Sequence, residues 1–103
     1  MLKVSGMWVS PIEIERVLIE HPAVREAAVV FRKDADELPK PVACIVTRDG
    51  APGTPELARQ LQEFVLNRLP VFKRPRWVEF LPELPKTATG KIQRFKLRAG
   101  VDE

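Results

Sequence analysis

Two short apolar stretches decide the fold, and they read Ala27-Ala28-Val29-Val30-Phe31 and Val42-Ala43-Cys44-Ile45-Val46-Thr47. Both have the length of a β-strand and are rich in valine, so each predicts a strand that is buried on at least one face. The segment between them, residues 32–41, is mostly polar. Such a connection favours a hairpin with a longer loop.

A helix is predicted before this hairpin. The stretch Ser10-Pro11-Ile12-Glu13 is typical of a helix start, because the serine can cap, the proline fits the first helical position and the glutamate can close a capping box. Three apolar residues then follow at helical spacing and predict one buried stripe: Ile14, Val17 and Leu18. The charged residues of the helix, Glu15 among them, are expected on its surface, and the helix should end by His21, before a proline.

A second helix is predicted after the hairpin. Thr54-Pro55 repeats the pattern of a capping residue and a proline, and Pro70 would close the helix. The apolar residues between them recur at helical spacing: Leu57, Leu61, Phe64, Val65 and Leu69.

The remainder of the chain predicts one more strand and a last short helix. Residues 76–81 predict the strand, residues 82–90 a loop and residues 93–99 the helix. The strand would place alternate side chains on its two faces, with Trp77, Glu79 and Leu81 on one and Val78 and Phe80 on the other. The order α-β-β-α-β-loop-α predicts an α+β domain, in which helices flank a small, mostly antiparallel sheet of about three strands.

Length and composition restrict the class of protein. A chain of 103 residues with 45% hydrophobic and 30% charged residues is typical of one globular domain. No apolar run approaches the ~20 residues of a membrane span. A single histidine and a single cysteine exclude a His-rich or cysteine-cluster metal site, so no metal ligands are predicted. We interpret Cys44 as a small buried hydrophobe, and with no secretory signal we expect a cytoplasmic protein.

The charge of the chain is uneven. Residues 72–98 carry eight Lys or Arg and two Glu, a net charge of +6, whereas residues 1–71 carry nine basic and ten acidic side chains, a net charge of −1. Such a basic segment suits a partner that bears phosphate groups, although a solvated charged face is an equally good interpretation of charge alone.

The loop after the third predicted strand carries the one pattern that points to chemistry. It reads Leu84-Pro85-Lys86-Thr87-Ala88-Thr89-Gly90-Lys91-Ile92-Gln93-Arg94, so Lys91 follows a run of small residues. A P-loop is excluded, because that motif requires glycine at Pro85 and Ser or Thr at Ile92. A lysine in this setting can place a compact positive charge on phosphate or carboxylate oxygens, or it can be an ordinary solvated lysine.

This loop closely resembles the C-terminal signature of the adenylate-forming superfamily, which comprises acyl-CoA synthetases, luciferases and peptide-synthetase adenylation domains. Residues 3–15 and 72–80 resemble two further blocks of the family, in the same order, so the resemblance covers nearly the whole chain. It implies that residues 1–103 are a single C-terminal lid domain of a larger enzyme, whose ATP- and acid-binding N-terminal domain and hinge residue lie upstream. Residues 5–15 and 93–98 look most like benzoate-CoA ligases and related aryl- or medium-chain acyl-CoA synthetases.

The resemblance implies two orientations of this lid on its own N-terminal domain. In the first, Lys91 aids attack of the carboxylic acid on the α-phosphate of ATP, with Mg²⁺ bound beside ATP mainly by the N-terminal domain. The loop that supports the lysine would comprise Thr87, Thr89 and Gly90. Alone, the chain should be inactive.

In the second orientation, the thiol of coenzyme A attacks the acyl-adenylate. The resemblance implies a thiol tunnel lined by the segment Ser5-Gly6-Met7-Trp8, in which a missing side chain at Gly6 lets a narrow ligand pass. The candidates for contact with the CoA nucleotide are Phe72, Lys73, Arg74 and Arg76.

Two alternatives remain open at this point. The lid could serve an adenylation domain that passes its acyl group to a carrier protein rather than to free CoA. The basic segment could instead belong to a small nucleic-acid-binding module, which would need exposed aromatic side chains between the basic ones. We expect no nucleic acid partner, because Trp77 and Phe80 have apolar neighbours in the sequence and should pack.

Overall fold

The two apolar stretches form neighbouring strands of a three-stranded sheet. The computed structural model describes residues 2–4 and 7–98. Its elements are β1 (Leu2–Val4), β2 (Met7–Val9), α1 (Pro11–Ile19), β3 (Val24–Lys33), β4 (Pro39–Thr47), α2 (Pro55–Leu66), β5 (Trp77–Phe80) and α3 (Phe95–Arg98), with short 3₁₀ turns at Arg48–Gly50 and Val71–Lys73. The predicted α+β class and element order are confirmed.

The sheet has the order β3-β4-β5. Strands β3 and β4 are the predicted antiparallel hairpin, with Val30 opposite Val42. Strand β5 lies parallel to β4, with Val78 opposite Ala43. The parallel pairing follows from the intervening helix α2, because a crossover connection returns the chain to the same end of the sheet.

The structure adds a small antiparallel pair that the sequence analysis did not predict. Strands β1 and β2 pair with Leu2 opposite Val9 and Val4 opposite Met7. Each strand has three residues, which is too short for an alternating pattern to be recognised.

Each face of the main sheet has its own apolar core. Side chains alternate along a strand, so Val29 of β3 enters the first core and Val30 the second. Helices α1 and α2 cover the first core with four fully buried residues: Ile14, Leu18, Leu61 and Val65. The second core is covered by the C-terminal part of the chain, through Leu84, Leu97 and the partly buried Ile92. The loop with the lysine is therefore part of the layer that closes the second face.

The helix ends agree with the sequence in part. Helix α1 ends at Ile19, before His21 as predicted, and the Nδ1 atom of His21 accepts a hydrogen bond from the backbone N–H of Ala23 (3.0 Å). The predicted cap of α2 is confirmed, because the Oγ1 atom of Thr54 accepts from the N–H of Leu57 (3.1 Å).

The predicted capping box of α1 is wrong. Ser10 stands at the cap position but makes no side-chain cap bond, and the carboxylate of Glu13 pairs with the ammonium of Lys73 (Oε1 to Nζ, 2.5 Å). A charge-assisted bond is stronger than a neutral one, so the lysine keeps this glutamate away from the helix end. In the part of the chain that the structure describes, no helix combines the length and the apolarity needed to cross a bilayer.

Candidate functional site

Lys91 lies in a tight turn, residues 86–92, here called the lysine turn. Lys86 and Ile92 form an antiparallel bridge at its base. Within it, the N–H of Thr87 donates to the carbonyl of Lys91 (2.8 Å), and the N–H of Gly90 donates to the carbonyl of Thr87 (2.9 Å). Gly90 has a φ of 89°, a conformation that L side chains rarely adopt, so the turn requires glycine there.

The threonines hold the backbone next to the lysine. The Oγ1 atom of Thr87 accepts a hydrogen bond from the N–H of Lys91 (3.1 Å) and lies 3.0 Å from the Oγ1 atom of Thr89. The three residues predicted to support the lysine therefore share one turn with it. Lys91 itself is exposed, and no ion pair of its ammonium with an acidic side chain is found within residues 2–4 and 7–98.

Ion pairs tie both legs of the lysine turn to the body of the domain; the legs are the chain that enters the turn, residues 85–86, and the chain that leaves it, residues 92–94. On the first leg, the ammonium of Lys86 contacts the carboxylate of Glu26 on β3 (Nζ to Oε2, 2.5 Å). On the second, the guanidinium of Arg94 holds the carboxylate of Glu15 on α1 through two contacts, Nε to Oε2 (2.9 Å) and Nη2 to Oε1 (2.6 Å). The hydrogen bond to Glu15 raises the pKa of Arg94, against the opposing effect of burial.

The expectation that Glu15 lies on the surface is wrong. The residue is 7% exposed, and its Oε2 atom also accepts a hydrogen bond from the backbone N–H of Val29 (2.8 Å). A buried carboxylate is tolerated only when its oxygens are paired, and Arg94 together with Val29 provides that pairing. The sequence carried a weak signal for this, because Glu15 follows Ile14 and precedes Leu18 by one turn, at the border of the buried stripe.

The candidates for the CoA nucleotide lie before and at the start of β5. Phe72 and Lys73 belong to the turn Val71–Lys73, and the ammonium of Lys73 contacts Glu13. Arg74 and Arg76 are exposed, and the guanidinium of Arg76 lies 5.7 Å from the centroid of the Trp77 ring.

A shallow groove of ≈ 400 Å³ adjoins Trp77. Its other lining residues are Arg32, Val78 and Glu79. Arg32 is paired with Glu79 and also donates from Nε to the carbonyl of Leu97 (3.1 Å), which joins β3, β5 and the end of α3. The expectation that Trp77 packs is wrong: it is 37% exposed, so its ring can contact a ligand. The expectation that Phe80 packs is confirmed by its place beside the first core.

The thiol-side candidates lie near the start of the chain. Met7 and Trp8 belong to strand β2, directly before α1. Ser5 and Gly6 lie outside the described residues.

Comparisons of the sequence and of the structure with known proteins agree on one family. Residues 13–91 match the family described as "AMP-binding enzyme C-terminal domain". Benzoate–CoA ligase of Thauera aromatica is 58% identical over 99 residues, which are 96% of this chain and 19% of that enzyme. The structure of the anthranilate CoA ligase AuaEII in complex with anthranoyl-AMP matches with a TM-score of 0.90 and 52% identity, over 96% of this chain and 19% of that one.

A benzoate CoA ligase from Burkholderia xenovorans LB400 matches with a TM-score of 0.83 and 48% identity, over 92% of this chain and 19% of that one. The chain therefore spans about a fifth of the length of these relatives, whose names all describe CoA ligases. The family match extends over most of its residues and includes the lysine turn up to Lys91. The chain belongs to the AMP-binding enzyme C-terminal domain family, the C-terminal domain of adenylate-forming enzymes.

Proposed function

We propose that this chain is the mobile C-terminal lid of an ATP-dependent carboxylic acid–CoA ligase whose acid is benzoate or a related aryl acid. The observation that carries the proposal is the exposed Lys91 on a turn whose backbone is fixed by Thr87. The names of the relatives support the substrate class, since those enzymes are described as benzoate and anthranilate CoA ligases.

In the first half-reaction, a carboxylate oxygen forms a bond to the α-phosphorus of ATP, and the bond from that phosphorus to the bridging oxygen of pyrophosphate breaks. Two anions must approach each other while negative charge builds on the phosphoryl oxygens. An ammonium placed between them by Lys91 lowers their repulsion and fixes their geometry, which is the kind of contribution that needs no covalent step.

Mg²⁺ would accompany ATP and share in neutralising its charge. No group of three or more His, Cys, Asp or Glu side chains that could hold a metal ion occurs within residues 2–4 and 7–98. We therefore assign the ion to the N-terminal domain, together with most of the ATP contacts.

In the second half-reaction, the thiol sulfur of CoA bonds to the acyl carbon of the adenylate. The bond from that carbon to the phosphate oxygen breaks, AMP leaves, and the thiol proton passes to water. The segment Ser5-Gly6-Met7-Trp8 would line the path of the thiol. Two features support a nucleotide contact near β5: the exposed guanidinium groups of Arg74 and Arg76, and the accessible ring of Trp77. Guanidinium groups suit phosphate oxygens, and an aromatic ring suits a base.

The test is the substitution Lys91→Ala in the full-length ligase that carries this domain. We expect pyrophosphate exchange, which reports adenylate formation, to fall by about two to three orders of magnitude, the usual effect of removing one positioned charge from a transition state. Thioester formation from a pre-made acyl-adenylate should persist, because the lysine serves only the first orientation.

Lys96→Ala is the matched control, since Lys96 is an exposed lysine of the nearby helix α3 and should leave both half-reactions unchanged. If Lys91→Ala leaves pyrophosphate exchange intact, Lys91 is a solvated surface lysine and the proposed role is refuted. A parallel fall in both half-reactions would show instead that the substitution damages the docking of the lid.

A further inference from the structure

The two ion pairs that hold the lysine turn, Lys86–Glu26 and Glu15–Arg94, differ in strength. The Lys86–Glu26 contact joins side chains that are 38% and 31% exposed, and ion pairs open to water contribute little. In the Glu15–Arg94 pair the exposed fractions are 10% for the carboxylate and 32% for the guanidinium. Its two parallel contacts fix orientation as well as distance, because the guanidinium is a rigid fork.

The stronger ion pair, Glu15–Arg94, is fixed to the sheet through Glu15. Strand β3 lies at the edge of the order β3-β4-β5, so its outer backbone groups need partners from elsewhere. Glu15 accepts the N–H of Val29 on β3 and thereby occupies a fixed position between α1 and the sheet edge. Arg94 is held by Glu15, and Arg94 follows Lys91 by three residues.

The chain between Lys91 and Arg94 leaves little room for independent movement. The N–H of Gln93 donates to the carbonyl of Pro85 on the opposite leg (2.8 Å), and Ile92 packs against the second core. A shift of Arg94 would therefore be passed on to the base of the lysine turn.

We propose that Glu15 and Arg94 are positioning residues for Lys91: their partly buried ion pair sets where the lysine turn points when the lid closes for adenylate formation. The inference rests on the proposed function, because it concerns the step assigned to Lys91. Neither side chain needs to touch the substrate. The step is sensitive to such positioning, since a misplacement of about 1 Å can cost about 100-fold in rate.

The experiment uses the full-length ligase with Arg94→Lys and, separately, Glu15→Gln. Arg94→Lys keeps the positive charge but removes the two parallel contacts of the guanidinium. Glu15→Gln keeps an oxygen that can accept from the N–H of Val29 but removes the negative charge. We expect kcat for pyrophosphate exchange to fall about 10- to 100-fold with little change in the KM for ATP or acid, whereas thioester formation from a pre-made adenylate is retained. Arg68→Lys is the matched control, because Arg68 forms an ion pair with Glu20 at the other end of α1.

A second comparison separates positioning from a general structural role. In a Lys91→Ala background, Arg94→Lys should cause no further loss of pyrophosphate exchange, since the group that it positions is already gone. An additional loss there would overturn the proposal, and so would a loss of thioester formation equal to that of exchange in both Arg94→Lys and Glu15→Gln.

The two proposals fail in different ways. If Lys91→Ala abolishes exchange while Arg94→Lys and Glu15→Gln match the Arg68→Lys control, only the positioning inference is wrong. If Lys91→Ala itself has no effect, the proposed function of the lysine is wrong.

Discussion

At the scale of single residues, the environment of a side chain decides its chemistry more than its type does. Glu15 and Glu13 are two residues apart on α1, yet Glu15 is buried against Arg94 and Val29, whereas Glu13 lies nearer the surface and pairs with Lys73. The sequence analysis places both on the helix surface, and only the position of Glu15 beside Ile14 hints that it borders the buried stripe. What separates them is Arg94, which lies 79 residues after Glu15 in the chain, and no local pattern can reveal a contact of that range.

Cys44 illustrates an environment that the sequence did predict. It lies in β4 with no exposed surface, and burial raises the pKa of its thiol to about 11, with a smaller contribution in the same direction from Glu79. Because only the thiolate reacts, about one thiol in a thousand would be ionised at pH 8.

We therefore expect a disulfide reagent at pH 8 to label Cys44 in the native chain at least about 100-fold more slowly than in the chain unfolded by guanidinium. The measurement is the absorbance of the released thiol anion over time. Equal labelling rates in the two states would mean that the thiol is accessible and that the burial of β4 is misjudged.

At the scale of secondary-structure elements, the sequence predicts the features that depend on one element alone. It does not predict those that depend on contact with a second element. The helical spacing of Leu57, Leu61 and Val65 and the valine-rich strands were enough to place α2, β3 and β4. The parallel direction of β5 and the three-residue strands β1 and β2 leave no such local trace. Similarly, Ser10 stands where a capping residue is expected, but its side chain makes no cap hydrogen bond.

The two helix caps offer a direct test of this difference. Thr54 accepts the N–H of Leu57 at the start of α2, whereas Ser10 makes no side-chain cap bond at the start of α1. We expect Thr54→Ala to lower the free energy of unfolding by about 1 kcal/mol and Ser10→Ala to lower it by less than about half of that.

Urea unfolding of the 103-residue chain, followed by circular dichroism, measures both values. The slope of the transition should stay the same in the two variants, since neither changes the surface exposed on unfolding. A larger loss for Ser10→Ala than for Thr54→Ala would show that Ser10 caps α1 after all.

At the scale of the whole molecule, the surfaces proposed for the two half-reactions belong to one small domain. The basic segment, residues 72–98, carries both the lysine turn and the arginines near β5, and it covers the second core through Leu84 and Leu97. The segment proposed to line the thiol path adjoins α1, which holds Arg94 through Glu15. A lid with the proposed function can exchange the surfaces that it presents by turning as a unit, without rearranging its core.

The proposed function also predicts how the chain behaves without the N-terminal domain. In the proposed function, Lys91 contributes one charge to a reaction whose ATP and acid sites belong to the N-terminal domain. The 103-residue chain should therefore fold but show no pyrophosphate exchange with ATP and benzoate. Adding the chain to a separately produced N-terminal domain should restore exchange only weakly and in proportion to its concentration, because a covalent link would supply an effective concentration in the millimolar range.

The Lys91→Ala form of the chain, added to the N-terminal domain in the same way, is the control and should restore nothing. Pyrophosphate exchange is measured in each mixture at increasing concentrations of the added chain. Exchange by the purified chain alone would mean that it carries its own ATP and acid sites, and it would contradict the proposed lid function. The absence of exchange, together with recovery that depends on Lys91, would place the lysine at the closing surface of the lid.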